Sequence, residues 1–393
     1  MGSSEFMRRF FFPFLLLVAL GACGFWSFPA WGVISRFAAF PNAPKEPITF
    51  LLAGVGHHYV GYHTRGTLEN DFELGLTDTM VLVQLNPAQK AIKLLSIPRD
   101  THVGAGNTTK DKINAAMLGG FDSSVRAVEG LLNLKLDGYL FVSIDGTKAL
   151  VDALGGVKLY VPQAMQYTDK AAKLEINLKS GLQVLTGQEA EGFVRFRYDN
   201  LGDIGRTQRQ QAFFRALLEK LQQPESWGRL PQLAKVFEKH VRTNLTRTEV
   251  GGALGFLLQR PRVDTLLLPG DFGRLGRYSF WIPNTQAVAA LVESNFRNQK
   301  DKPARDPFEL SIAIVSDDQA RAKRAREKLR GSGFRFVWLA DVTTGDPSKT
   351  EVLSSSNLLE ARVIRTTLGI GTERISGEGV LGADITVRLG ADY

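Results

Sequence analysis

Apolar residues along this chain fall in short, nearly unbroken blocks separated by polar turns, a pattern expected of strands buried on both faces. Residues 48–53, 79–85 and 91–97 form three such blocks, and Asn86-Pro87 reads as the turn between the last two. A further strand is expected at 139–144, then a helix at 149–154, a turn at Gly155-Gly156 and a strand at 157–161. Helical spacing dominates 112–134. It returns at 208–222, where Phe213, Phe214, Leu217, Leu218 and Leu221 recur at steps of three and four, and more helix is expected through Leu258. After a charged stretch at 299–306 the alternation restarts, with strands at 310–315, 334–339 and 385–389 and helices at 319–329 and 357–368. Such alternation predicts an α/β protein with a largely covered sheet, followed by a compact second α/β unit.

The N-terminus carries a different signal. Arg8 and Arg9 precede a segment, Phe10 to Ser35, without one charged residue, longer than the ~20 residues needed to cross a bilayer. By the positive-inside rule the arginines stay in the cytoplasm and everything after Arg36 lies outside. The sequence Leu20-Gly-Ala-Cys23 also resembles a lipobox, so a lipoprotein modified at Cys23 is the alternative anchor. Apolar residues continue past Cys23 through Phe25, Trp26, Phe28 and Trp31, which favours an uncleaved signal anchor. The expected organisation is therefore an anchor at 1–36, a Pro-rich spacer at 37–47, a main domain at 48–298, a linker at 299–308 and a C-terminal domain at 309–393.

Composition narrows the partners. The chain has 393 residues and a net charge of +8, with a pI near 9.5, which suits an anionic membrane, an acidic polymer or a nucleic acid. The export signal and the lack of a zinc finger, RNP-like aromatic motif or DNA-reading helix argue against nucleic acid. Cys23 is the single cysteine, so disulfides within the chain and Cys-rich metal sites are excluded. His57, His58 and His63 match no zinc spacing and read as loop residues.

The chemistry concentrates between Arg195 and Arg209. Arg195-Phe-Arg197 is followed by Gly202-Asp203-Ile-Gly-Arg206-Thr-Gln-Arg209-Gln210, four arginines around a glycine-rich break. Guanidinium groups stay charged and present planar forks of donors, so such a cluster can hold adjacent phosphoryl groups bidentately. A helix starting near Arg206 would add free N–H groups at its N-terminus and put Arg206, Arg209 and Gln210 on one face.

Seven stretches together resemble the LytR-CpsA-Psr family of cell-wall glycopolymer ligases. They are Thr77-Asp78-Thr79, Ser96-Ile-Pro-Arg99-Asp100, Lys112-Ile-Asn114-Ala-Ala, Val151-Asp-Ala-Leu-Gly-Gly156-Val, Leu185-Thr-Gly-Gln-Glu-Ala190, and the two arginine motifs. Residues 310–393, with Thr350-Glu351-Val352 and Asp384-Ile-Thr-Val-Arg-Leu-Gly390, are similar to the C-terminal domain often attached to that family. The resemblance implies a membrane anchor, a mixed central sheet flanked by helices, and a small C-terminal α/β domain. It also implies an enzyme that moves a glycopolymer from a polyprenyl pyrophosphate to a peptidoglycan hydroxyl and leaves polyprenyl phosphate. By position, Arg99, Arg195, Arg197, Arg206, Arg209 and Gln210, with Lys112, would bind the pyrophosphate, and Asp78 would hold a magnesium ion or act as base. Asp78, Arg99, Arg197 and Arg206 are the catalytic candidates. The apolar residues from Phe213 to Leu221 would line a tunnel for the prenyl tail, or simply be core.

One departure bears on the metal. The family usually carries an acidic residue after the first strand, where this chain has Gly54-Val55-Gly56-His57-His58. Asp71 or Glu73 is the candidate for a replacement carboxylate, and Asp78 alone could suffice with either supporting it through water. A non-catalytic polyprenyl-phosphate or cell-wall glycan-binding protein is the rival reading, favoured by missing metal ligands. All candidate catalytic residues precede Gln211, so the C-terminal domain is expected to be dispensable for chemistry.

Overall fold

The computed structural model describes residues 42–56, 59–60, 64–65, 72, 75–169, 174–197, 202–297, 305–341 and 348–393. The anchor with Cys23, the three loop histidines, Asp71, Glu73 and most of the linker lie outside these. Among the described residues no helix is long and apolar enough to cross a membrane.

Six strands make the central sheet: β1 (Ile48–Val55), β2 (Thr77–Asn86), β3 (Ala91–Ile97), β4 (Gly138–Ser143), β5 (Val241–Thr243) and β6 (Arg262–Leu267). Their order is β5-β4-β1-β2-β3-β6. β1 runs parallel to β4, and β3 parallel to β6, while β1-β2, β2-β3 and β4-β5 are antiparallel. The sheet is thus mixed, as the resemblance implies. β2 and β3 are buried along nearly their whole length, because both faces are covered. Leu51, Leu82, Leu95 and Phe141 point into one core with Val128 and Leu132 of helix α1 (Phe121–Leu132). Phe50, Val81, Val83 and Leu94 point into another with Phe256. Two polar side chains inside the sheet find backbone partners outside it: Gln84 donates to the Phe296 carbonyl at 3.0 Å and Lys93 to the Asn295 carbonyl.

A third core lies beyond the C-terminal end of β4. It joins helix α2 (Ile144–Ala153), helix α3 (Gly187–Arg195), helix α4 (Gly202–Leu221) and the hairpin of Met165–Asp169 with Leu174–Leu178. The C-terminal domain is a five-stranded sheet built from β7 (Ser311–Val315), β8 (Phe336–Leu339), β9 (Glu351–Ser354), β10 (Thr372–Ile375) and β11 (Ile385–Arg388), in the order β8-β7-β11-β9-β10. Helices α5 (Gln319–Gly331) and α6 (Leu358–Leu368) bury Ala325, Leu329, Ala361 and Ile364 against Ile312, Ile314, Val352 and Val387. Ile375 leaves this unit to join the central core of the main domain.

The expected helix through Leu258 is interrupted. Val241–Thr243 breaks it to become the edge strand beside β4, a pairing with a distant segment that local spacing could not announce.

Candidate functional site

Sheet geometry brings Asp78 and Arg99 together. β2 and β3 are antiparallel with Met80 opposite Ile97, so the start of one lies beside the end of the other. The β1-β2 register slips between Gly54, which faces Thr79, and Val55, which faces Thr77. Asp78 is the extra residue of this bulge, and a bulge re-aims the side chain it carries. Its Oδ1 accepts a hydrogen bond from Arg99 Nη1 at 2.6 Å. Its Oδ2 lies over Gly56, where an added Cβ would come within 2.4 Å. An acidic residue at position 56 therefore requires Asp78 to rotate away, so the departure at Gly56 and the pose of Asp78 belong together.

The arginine motifs sit on two consecutive helices. Thr186 caps α3 with a reciprocal Glu189 box, and Arg195 in the last turn complements the helix dipole. Arg195 Nη1 meets Glu191 Oε1 one turn back at 2.6 Å. Glu191 also meets Lys148, which in turn pairs with Asp145 at 2.7 Å. Burial works against the Lys148 ammonium, but these two carboxylates outweigh it and raise its pKa above the ordinary lysine value. Phe196 is buried behind the helix end and Arg197 is exposed beyond it.

α4 begins at Gly202 rather than near Arg206. The expectation that Arg206 offers a free helix N-terminus is corrected: its amide lies inside the helix, and only its side chain can serve a ligand. Arg206, Gln210, Phe213 and Phe214 form one stripe at steps of three and four and all face the same cavity.

That cavity, of about 820 Å3, is lined by Asp78, Arg99, Arg195, Arg197, Arg206 and Gln210 among its polar residues. Leu52, Val142, Ile144, Val194, Phe213 and Phe214 are among its apolar lining. Two predicted residues stand off this wall. Lys112 pairs with Asp100 at 3.0 Å, and Arg209 is buried, donating to the Phe196 carbonyl and stacking 5.6 Å from the Phe196 ring. Arg209 therefore fixes the turn that carries Arg197. Asp100 lines a small cleft with Arg99 and Arg206. Sequence reasoning missed Glu191 and Lys148, as well as Tyr167 and Asp169, which line the cavity from the hairpin. The Glu191-Arg195 spacing of four on a capped helix was the available signal.

Among the described residues no group of three or more His, Cys, Asp or Glu side chains could hold a metal. Three carboxylates, Asp78, Asp169 and Glu191, line the cavity; Glu191 is held by Arg195 and Lys148, and Asp78 meets Arg99 through Oδ1.

The profile of the LytR_cpsA_psr family matches residues 35–297. The chain belongs to the LytR_cpsA_psr family. A second profile, described as LytR cell envelope-related transcriptional attenuator, matches residues 315–393. Among curated family relatives, the polyisoprenyl-teichoic acid–peptidoglycan teichoic acid transferase TagV of Bacillus subtilis is 34% identical over 245 residues, 59% of each chain. TagU of Bacillus cereus is 36% identical over 212 residues, 52% of this chain and 63% of that one. The chain thus spans about three-fifths of the length of these relatives. The crystal structure of B. subtilis TagV superposes with a TM-score of 0.52 at 29% identity, covering 64% of this chain and 97% of that one. A Streptococcus agalactiae protein, at 0.56 and 22% identity over 66% and 91%, shares the fold.

Proposed function

We propose that this LytR-CpsA-Psr protein is an extracytoplasmic phosphotransferase that moves a glycopolymer from a polyprenyl pyrophosphate carrier to a peptidoglycan hydroxyl. One observation carries the reading: Arg99, Arg195, Arg197, Arg206 and Gln210, drawn from three segments, share the lining of one cavity whose remaining wall is largely apolar. A pyrophosphate with a hydrocarbon tail combines the same charged and apolar chemistry. The names of the TagV and TagU relatives agree with it.

In this reading the acceptor hydroxyl attacks the phosphorus bonded to the sugar, and the bond to the bridging pyrophosphate oxygen breaks. Polyprenyl phosphate leaves, and the polymer keeps one phosphate. Such transfer depends on positioning and charge stabilisation more than on covalent help. Arg197, exposed at the α3 end, and Arg206, on the α4 wall, take the pyrophosphate oxygens, and Arg99 is shared with Asp78. Carboxylates beside phosphate repel it unless a cation intervenes. Asp78 Oδ2 is suited to a magnesium ion that takes its other ligands from water and the phosphates, a common arrangement for this ion. When bound, the ion neutralises charge developing on the transferred group.

The uncharged segment behind Arg8-Arg9 supports a single membrane anchor with the domains outside, beside lipid-linked donor and peptidoglycan acceptor. The rival reading, a non-catalytic binder, rests on the lack, among the described residues, of a group of three or more side chains that could hold a metal. Transfer by the purified full-length protein in detergent is expected to stop in chelator, return with magnesium, and be lost in Asp78→Asn. Full transfer by Asp78→Asn in chelator would remove the metal, and no transfer by the wild type under any condition would favour the binder.

A further inference from the structure

Helix α4 has a second stripe. Gln208, Gln211 and Arg215, spaced by three and four, face away from the cavity and toward the C-terminal domain. Gln208 Nε2 donates to the Gly379 carbonyl at 2.7 Å. Arg215 grips Glu378 with both arms, Nε to Oε1 and Nη2 to Oε2, each at 3.0 Å. Gln211 Nε2 bonds Ser96 Oγ and the Leu266 carbonyl, both at 2.9 Å. It also lies against Gly377, where a Cβ would come within 2.8 Å of its amide.

The same loop, residues 376–379, touches β6. Thr265 Oγ1 donates to Ser376 Oγ at 3.3 Å and accepts from the Gly377 amide at 3.4 Å. Ser96 lies on β3, three residues before Arg99, and pairs with Leu267 of β6. One loop of the C-terminal domain therefore meets two of the elements that carry the cavity's charged lining: the helix carrying Arg206 and Gln210, and the β3-β6 pair leading into Arg99. Glu378 is almost fully buried and is held on its own side by Arg374 at 3.3 Å and Arg388 at 3.5 Å. A bidentate pair between fixed partners tolerates little sliding of the helix that carries one of them.

We infer that the C-terminal domain sets the position of α4 relative to β3 through loop 376–379, with Glu378 a positioning residue for the phosphate cavity. This deepens the phosphotransferase reading and rests on it. Neither Glu378 nor Gln208 lines the cavity, so each acts through the residues α4 presents there. The expectation that the C-terminal domain is dispensable gives way to one in which it is needed for the geometry of transfer.

The test uses the full-length protein with geranyl pyrophosphate as probe, comparing wild type, Glu378→Gln and Gln208→Ala. Affinity for that probe, the rate of transfer from a polyprenyl-pyrophosphate-linked glycan to a peptidoglycan acceptor, and amide hydrogen exchange across residues 206–214 are measured on protein shown to be folded. Glu378→Gln keeps the shape but loses the charge, and is expected to slow transfer by roughly ten- to hundredfold, the scale of a misplaced catalytic group. Exchange in 206–214 should rise in step. Gln208→Ala loses one hydrogen bond without burying a charge, and a several-fold effect of the same sign is expected. Unchanged exchange and unchanged transfer in both variants would overturn the inference. Faster exchange in the variants, with a wild type that neither binds the probe nor transfers, would keep the positioning role and reject the phosphotransferase reading instead. A Glu378→Gln protein too unstable to measure leaves Gln208→Ala to decide by the same criteria.

Discussion

Two arginine clusters lie on opposite sides of α4, and they differ in openness. At the domain interface Arg215, Arg374 and Arg388 surround Glu378 and Glu351. Side-chain exposure there falls to 4% for Glu378 and 6% for Arg388. In the cavity Arg99, Arg195, Arg197 and Arg206 share a wall with Asp78 and Glu191, and Asp78 keeps 45% of its side chain exposed. Buried arginines must be neutralised where they sit, because an uncompensated charge away from water is expensive. Arginines around an open volume can leave part of their neutralisation to a ligand. The adjoining cavity, toward which Asp78 stays exposed, separates the open cluster from the closed one; the arginines' own burial does not, since Arg206 is buried and Arg215 is 25% exposed.

Breaking the closed cluster should have the largest effect on folding. Arg374→Ala leaves Glu378 and Glu351 short of a partner, and loss of one member of a buried pair typically costs ~3–5 kcal/mol. Urea unfolding of the full-length protein should show that loss, with a first transition assigned to the C-terminal domain. A cost below ~1 kcal/mol would mean that the network is far more solvated than its burial implies. The same cluster has a pH signature. Burial pushes the Glu378 carboxyl up, but Arg215, Arg374 and Arg388 outweigh it and hold it well below the ordinary glutamate value. A depressed folded pKa contributes stability that is fully present above the unfolded value and lost as pH falls through the folded one. Interface stability should therefore be flat across neutral pH and fall only on strong acidification. In Glu378→Gln this acid-dependent component should be much reduced.

Breaking the open cluster should damage chemistry and spare the fold. Arg197→Lys keeps the charge but loses the planar fork, and loss of one charge-assisted contact is worth about 1.5–3 kcal/mol, or one to two decades in rate. Its melting temperature should match the wild type. Arg326→Ala, on the C-terminal domain's helix α5, should stay within ~0.5 kcal/mol in stability and leave transfer unchanged. Equal losses at Arg197 and Arg326 would point to a diffuse basic surface and contradict a defined pocket.

The open cluster was more legible in the sequence than the closed one, for a physical reason. Arg195, Arg197, Arg206 and Gln210 fall within one short stretch, and Asp78 and Arg99 lie at ends of strands whose apolar blocks are plain. Local periodicity and short-range spacing were enough. Arg215 and Glu378 lie 163 residues apart, and no local pattern links them. The start of α4 at Gly202 was missed because its glycines read as a break, although tertiary packing against α3 overrides that weak preference. The hairpin behind Tyr167 and Asp169 was missed despite the alternating burial of Leu174–Leu178. Its period of two is short, and its partner strand is mostly polar.

The central claim is that the cavity arginines serve cleavage within a pyrophosphate. It is tested most directly by the lipid that leaves. The full-length protein would be incubated with a polyprenyl-pyrophosphate-linked glycan and a peptidoglycan acceptor, and the released lipid weighed by mass spectrometry. The account predicts polyprenyl monophosphate, with one phosphate retained between glycan and acceptor, and release slowed by one to two decades in Arg197→Lys. Release of intact polyprenyl pyrophosphate, with the glycan attached through a sugar-oxygen bond and no phosphate, would contradict it.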